Sequence, residues 1–498
     1  IRMAEMGYSS EYEVYLTEKN GVQIVINNLS LSILKEMRFR EVSPTEIAVS
    51  LDVPKSTIQG NITKLLRQGI VSQDTRVDDA RSAVYHIAAM LLFCSDTDVE
   101  WQLYARSASV ARIMKNGRCT SREDLSLYSV SLTESGLNVV QGLFNVGSAL
   151  TRGEYDRRWW EIILGKVNEQ SLSHGIRTEI DTKDGLTLTI ESDEGDIADV
   201  PLVVVPMLGA IISHSDTLLG FNLAHDVSMK VTNDGHKVVM HIAPFIGQHY
   251  DLKMDLERSK DTFRVEEPFS IYSINGKATL FTNSTMIAVL DCLFVCDYSL
   301  AELEEASGLS KATIYAAISK LISMGAVSTR KESGSVMKYK LMADPILYIT
   351  DSTRKDFDSL YKAIEDFHNG RTDYYSSVIS CAMKAIGCIG IHFDKMFIRA
   401  GRNAAVSVLE NNPDIQPQEF VELACNMVSV PDSARIITYI PIRIGVVLSK
   451  DTLWETWPGD FVMGFISEGL NHLLGSGYKT VIEVRREDEE EPFSILSN

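Results

Sequence analysis

Cysteine is scarce: seven in 498 residues, at positions 94, 119, 292, 296, 381, 388 and 425. An odd number in no paired motif argues against a disulfide framework and for reduced thiols. Long apolar runs are missing as well. None reaches the ~18 residues that a membrane span needs, and no signal peptide opens the chain, so a cytoplasmic protein without a membrane partner is expected. Positive charge is in deficit, with 48 Lys and Arg against 67 Asp and Glu and a net charge of −19. A surface that coats nucleic acid or membrane indiscriminately is thereby excluded, although a local favourable patch is not. Nor is there a nucleophile elbow, Walker loop, Gly-rich dinucleotide loop or zinc signature, and the ten histidines form no HxxxH pair. No catalytic residue, cofactor or metal is expected, and the chain does not read as an enzyme.

What the chain does contain is a repeat. Ser43 to Ser72 and Ser299 to Ser328 align without a gap over 30 positions, 256 apart, with 11 identities. Unrelated chains would share roughly two. Ser43 and Ser299 precede Glu46 and Glu302 by three, the capping-box spacing that starts a helix. Asp52 and Gly308 stand where the chain must turn, and both residue types accept a left-handed backbone. A second helix then begins at Lys55 and Lys311. Ile58, Ile62, Leu65 and Leu66 share one face of it, as do Ile314, Ile318, Leu321 and Ile322. Gly69 and Gly325 end it. A polar turn and returning strands, Ser82 to Ile87 and Val336 to Leu341, complete a hairpin after each unit. Upstream, Asn27 to Met37 and Asn283 to Leu293 keep the same offset and predict one more helix.

The run from Val53 to Val71 resembles the recognition helix of winged helix-turn-helix transcriptional regulators of the ArsR, MarR and TrmB type, over about 65 residues of each half. In such proteins this helix enters the major groove. The resemblance implies that Lys55, Ser56, Gln59 and Asn61 in the first copy, and Lys311 and Tyr315 in the second, face base edges or phosphates of double-stranded DNA. The hairpins would add Arg76 and Arg81, and Arg330, Lys331 and Lys338. The second copy offers Ala312, Tyr315 and Ala317 where the first has Ser56, Gln59 and Asn61, so its base readout should be poorer. Residues 43 to 87 carry five basic and five acidic side chains, and residues 299 to 341 six and four. Tight nonspecific binding is not expected from either.

ArsR-type metal sensors place a Cys-x-Cys-Asp motif before recognition. Here Cys296-Asp297 supplies only one of those thiols, and the first copy has no cysteine there. Cys292 and Cys296 are therefore read as buried structural residues rather than ligands.

The expected fold is α+β: two winged-helix domains, each followed by a small α+β domain, in an internal pseudo-two-fold duplication. The divisions are 22–93 for the first winged helix, 94–150 for a helical connector extra to the first half, and 151–275 for the first α+β domain. The second winged helix spans 281–345, the second α+β domain 350–486, and an acidic tail 487–498. Within the α+β domains, Gly153 to Asp156 and Gly370 to Asp373 open helices. A hairpin follows in each: strands to Ile180 and from Leu186, and strands to Ile398 and from Ala404 to Leu409 around a turn at Gly401. Each then closes with a helix, a Gly-x-Lys turn at 235 or 477, and a strand. Trp159, Trp160, Trp454 and Trp457 could line an effector cleft, but packing in the core is favoured because neighbours on a helix cannot all face one pocket. The effector-binding residues stay unassigned.

The expected function is a DNA-binding regulator acting as a single-chain pseudo-dimer, with a small-molecule effector held in the α+β domains and pairing of two such chains left open. The alternatives are a winged-helix protein-interaction scaffold that never touches DNA, and a replication-initiator-like protein.

Overall fold

The computed structural model describes residues 11–17, 20–38, 40–75, 83–95, 100–138, 143–144, 176–181, 186–192, 205, 208–209, 223–232, 236–249, 268–331, 336–350, 354–388, 390–427, 433–439, 442–448, 457–475, 480–486 and 493–497. They form a mixed α+β protein of small sheets and short helices. No helix among them is long and apolar enough to cross a membrane.

Strands β1 (Glu13–Thr17) and β2 (Gly21–Val25) make an antiparallel hairpin that leads into helix α1 (Asn28–Met37). Asn27 caps α1, its side chain accepting from the Ser30 amide. Helix α2 (Pro44–Leu51) starts from the capping box of Ser43 and Glu46, with Pro44 in the first turn, and ends at Asp52 in the left-handed region, φ 52°. Helix α3 (Lys55–Gln68) stops at Gly69, φ 75°. Strands β3 (Val71–Thr75) and β4 (Ala83–Ile87) return as an antiparallel hairpin, and an isolated bridge joins Val42 to Tyr85. Ile33, Leu34, Ile47, Ile58, Ile62, Leu65, Val71 and Tyr85 share one buried core. Then come β5 (Met90–Ser95), which pairs with β1, helices α4 (Glu100–Asn116) and α5 (Ser121–Glu134), and β6 (Leu137–Asn138), giving the sheet order β2-β1-β5-β6.

A second sheet holds β7 (Ile176–Asp181), β8 (Leu186–Ser192), β9 (Leu223–Thr232) and β10 (Lys237–His249), antiparallel throughout in the order β7-β8-β10-β9. The helix expected ahead of Gly235 is therefore the strand β9. Val227, Met229 and Val231 alternate with Ser228 and Lys230 there, the period of a strand.

Strands β11 (Phe269–Ile274) and β12 (Lys277–Phe281) turn through Asn275 and Gly276, both at positive φ, as a two-residue hairpin requires. Helix α6 (Ser284–Val295), the short β13 (Tyr298–Ser299), α7 (Leu300–Ser307) and α8 (Lys311–Ser323) follow, then β14 (Val327–Lys331), β15 (Met337–Leu341) and β16 (Asp344–Ile349). Seven elements begin 256 residues after a counterpart or, for β16, 254: β11, β12, α6, α7, α8, β14 and β16 answer β1, β2, α1, α2, α3, β3 and β5. The expected domain starts at 22 and 281 thus cut through two hairpins, whose first strands pair with β5 and β16.

Helices α9 (Arg354–His368) and α10 (Tyr374–Cys388) and the strand β17 (Ile391–His392) come next. They follow β16 in the order in which α4, α5 and β6 follow β5. Asp373 does open a helix, accepting from the amides of Tyr375 and Ser376; Gly153 to Asp156 lie outside the described residues.

Helix α11 (Asp394–Asn411) occupies the stretch expected to be a hairpin around Gly401. Met396, Phe397, Ala400, Ala404, Ala405, Val408 and Leu409 are buried along it at helical spacing. Helix α12 (Pro417–Asn426), strands β18 (Ser433–Tyr439) and β19 (Ile442–Leu448), helix α13 (Trp457–Leu474), and strands β20 (Thr480–Arg486) and β21 (Phe493–Ser497) complete the described chain. Their sheet runs β18-β19-β20-β21, with β19 and β20 parallel across the α13 crossover. Gly401 is a point of close approach: a Cβ there would come within 3.0 Å of the Phe461 carbonyl oxygen, and one on Gly464 equally near that of Ile398. Phe420 stacks on Phe465 at 4.6 Å beside this crossing.

The chain divides into two compact units. One gathers residues 1–105, 136–266 and 351–390, the other 106–135, 267–350 and 391–498. In the second, Tyr128 of α5 stacks on Phe397 of α11 at 5.4 Å and meets Trp457 of α13 edge-on at 5.5 Å. Trp457 is thus core, while Trp159, Trp160 and Trp454 lie outside the described residues. Helix α5 also buries Ser126, Ser129, Ser131 and Thr133. The last two hydroxyls return hydrogen bonds to the carbonyls of Leu127 and Ser129, which removes the cost of burying them.

Candidate nucleic-acid interface

Helix α3 divides its residues sharply. Ile58, Ile62 and Leu65 are buried, while Lys55, Ser56, Thr57, Gln59 and Gly60 are exposed. Lys55, Ser56 and Gln59 lie within one turn, so they share a surface. Burial of the first set orients the second outward with no further contact needed. The Gln59 side-chain amide lies 3.5 Å from the Tyr85 hydroxyl, at the edge of the hairpin. Asn61 does not belong with them: it is half-buried, its Oδ1 accepts from the Ser30 hydroxyl at 3.0 Å, and its Nδ2 donates to the Thr57 carbonyl at 2.9 Å. Its hydrogen bond to Ser30 ties α3 to α1 and sets Asn61 apart from the exposed turn. Arg76 and Arg81 lie outside the described residues.

On α8, Lys311 and Tyr315 are both exposed, Tyr315 by 60%. They are four apart, again one turn. Lys311 pairs with Glu304 at 3.3 Å, an exposed bridge that a stronger anion can displace at little cost. Ala317, expected on the outer face, is buried against Ile314, Ile318 and Leu321. Arg330 and Lys331 are exposed on β14, and Lys338 is half-buried on β15. Arg330 stands directly opposite Lys338 in the antiparallel register.

The surface around α8 differs from that around α3 in one more respect. Val295, Tyr315, Ile322, Val336, Met337 and Met342 are large, apolar and exposed, whereas the corresponding first region exposes Val49 alone among such residues described there.

A second polar cluster, at the starts of α11 and α13, was not foreseen. Lys395 forms an ion pair with Asp291, which also accepts from the Tyr272 hydroxyl at 3.2 Å. Lys395 lies 5.0 Å over the Tyr348 ring, Tyr348 stacks on His392 at 4.7 Å, and His392 Nε2 shares a hydrogen bond with the Thr350 hydroxyl at 2.7 Å. Asp394 Oδ1 is shut off from solvent without a hydrogen-bond partner. Burial, and then the neighbouring Asp394, push the Asp460 carboxyl up to about 8. Burial also raises the Tyr348 phenol, with Asp394 adding to it. A shallow recess lies among Tyr272, Tyr348, His392 and Lys395, with room for about one water rather than for a small molecule. The sequence hint was faint: an Asp in the first turn of each of two helices, where carboxylates also sit for the helix dipole alone.

Cys94, Cys119 and Cys381 are buried and unbridged, whereas Cys292 and Cys296, expected to be buried, are unbridged but only half-buried, and burial raises the Cys292 thiol. No protein-family model matches this chain, and no curated protein matches it.

Proposed function

We propose that the chain is a DNA-binding transcriptional regulator in which two winged helices, related by internal duplication, act together as a single-chain pseudo-dimer. One observation carries the reading: on α3, the second helix of a helix-turn-helix, Lys55, Ser56 and Gln59 face solvent while Ile58, Ile62 and Leu65 hold the helix to the core. Lys and Gln at one turn's spacing can meet phosphate and base edges on one groove wall. Arg330 and Lys331, exposed on β14, support backbone contact by the second hairpin. Tyr315 and the alanines of α8 offer little to bases, so the first winged helix reads sequence and the second clamps phosphates. An effector bound in the α+β portions would act by changing the relation of the two readers.

Selection of genomic fragments on the full-length protein tests this. The wild type should enrich defined promoter sites, and Lys55→Ala with Gln59→Ala should keep residual, salt-sensitive binding while losing the preference. An unchanged preference would overturn the assignment.

A second reading, a protein-interaction scaffold, draws on the apolar residues exposed around α8. It predicts that no fragment is enriched.

A further inference from the structure

Among the described residues, Glu41, Asp74 and His86 bring their ligand atoms within 4.8 Å of one another. The register explains the convergence. Val42 bridges Tyr85, so Glu41 comes beside His86, and Ser72 pairs with His86, so Asp74 lies two residues on along the same face of the hairpin. The opposite face carries Val71, Tyr85 and Ile87 into the core.

His86 is the informative member. Its Nδ1 is shut off from solvent and makes no hydrogen bond, and Asp74 Oδ2, 3.2 Å away, is out of hydrogen-bonding alignment. Two atoms sharing a tetrahedral ion at bonds of about 2.0–2.1 Å are themselves roughly 3.3 Å apart. The separation of imidazole and carboxylate already suits such an ion. Glu41 is exposed, so its side chain is free to close the remaining gap.

The other hairpin supplies an independent comparison. Tyr298 pairs with Tyr339 and Ser328 with Lys340, so by the same register Asp297 comes beside Lys340, and Arg330 lies where Asp74 does. There the three places hold one carboxylate and two cations. Around α3 the same places hold two carboxylates and an imidazole, a set of groups that can ligate a cation where the other hairpin's cannot.

We propose that Glu41, Asp74 and His86 bind one divalent transition-metal ion of the zinc class, which pins the β3–β4 hairpin to the segment entering α2. One nitrogen and two carboxylates suit zinc, whose fourth position would take water. Magnesium demands near-octahedral oxygen and is disfavoured by the imidazole. The site does not depend on the DNA-binding reading.

The test is calorimetric titration of the full chain, stripped with chelator, with zinc chloride. The wild type should take up one equivalent that Glu41→Gln binds at least about tenfold more weakly, or not at all. Asp74→Arg with His86→Lys, which imports the other hairpin's residues, should abolish it. Glu41 is exposed, so Glu41→Gln should melt at the wild-type temperature without metal, and only the wild type should gain on adding zinc. Magnesium chloride should not compete. Equal uptake at equal affinity in wild type and Glu41→Gln, no uptake by the wild type, or magnesium competing as well as zinc would each overturn the proposal.

Discussion

Gly401 and Gly464 let α11 and α13 cross backbone against backbone: a Cβ on either would come within 3.0 Å of a carbonyl oxygen of the other helix. Gly401→Ala should gain helix propensity of up to about 1 kcal/mol. The clash is with main chain, which cannot rotate away, so the net effect should be a loss of about 1–3 kcal/mol. Scanning calorimetry on the full chain reads it as a lowered transition. An unchanged or raised transition would mean that the helices separate easily.

Asp460 gives a pH dependence with a definite sign. Its carboxyl is raised to about 8, so between about pH 4 and 8 the folded chain holds a proton that the unfolded chain has released. Stability from this group is full below the ordinary carboxylate range and lost as pH rises through 8, at up to about 1.4 kcal/mol per pH unit. Asp460→Asn should flatten that slope in urea unfolding measured across the window. The same slope in both proteins would rule the group out.

Arg38 and Glu13 form a buried ion pair, with side chains 6% and 3% exposed, and the Tyr15 hydroxyl donates to Glu13 at 2.6 Å. Arg38→Met strands a carboxylate in the core and should cost about 3–5 kcal/mol. Adding Glu13→Leu should recover most of it. A double variant as unstable as the single would show that packing rather than charge is at stake.

The capping box of α2 can be probed locally. Ser43→Ala removes the acceptor of the Glu46 amide and should cost about 1 kcal/mol, while Ser43→Asp should keep it. Hydrogen exchange of the α2 amides is the readout, with a roughly fivefold acceleration expected in the alanine variant alone.

What could be read ahead of the structure was local. Ser43, Asp52, Gly69, Ser299 and Gly308 set helix ends through their own backbone and nearest neighbours, and those ends fall where expected. Asn275-Gly276 is an equally local signal, for a hairpin. Gly401 was misread because a glycine that permits helix crossing and one that makes a turn look alike until α13 is present. Asn61 looked available on α3 because its partner, Ser30, lies 31 residues away on another helix. The cluster around Asp394 and Asp460 needed three separated segments before its burial existed at all.

The make-up of the two units bears on how the molecule is built in the cell. The first unit includes residues 351–390 and the second residues 106–135, so the chain passes back and forth between them rather than finishing one before starting the next. A ribosome must therefore reach residue 390 before the first unit has all its parts, when about half of the second has already been made. Vectorial, one-after-the-other maturation is closed to this polypeptide, and a gene cut near its midpoint would yield two incomplete products rather than two working modules.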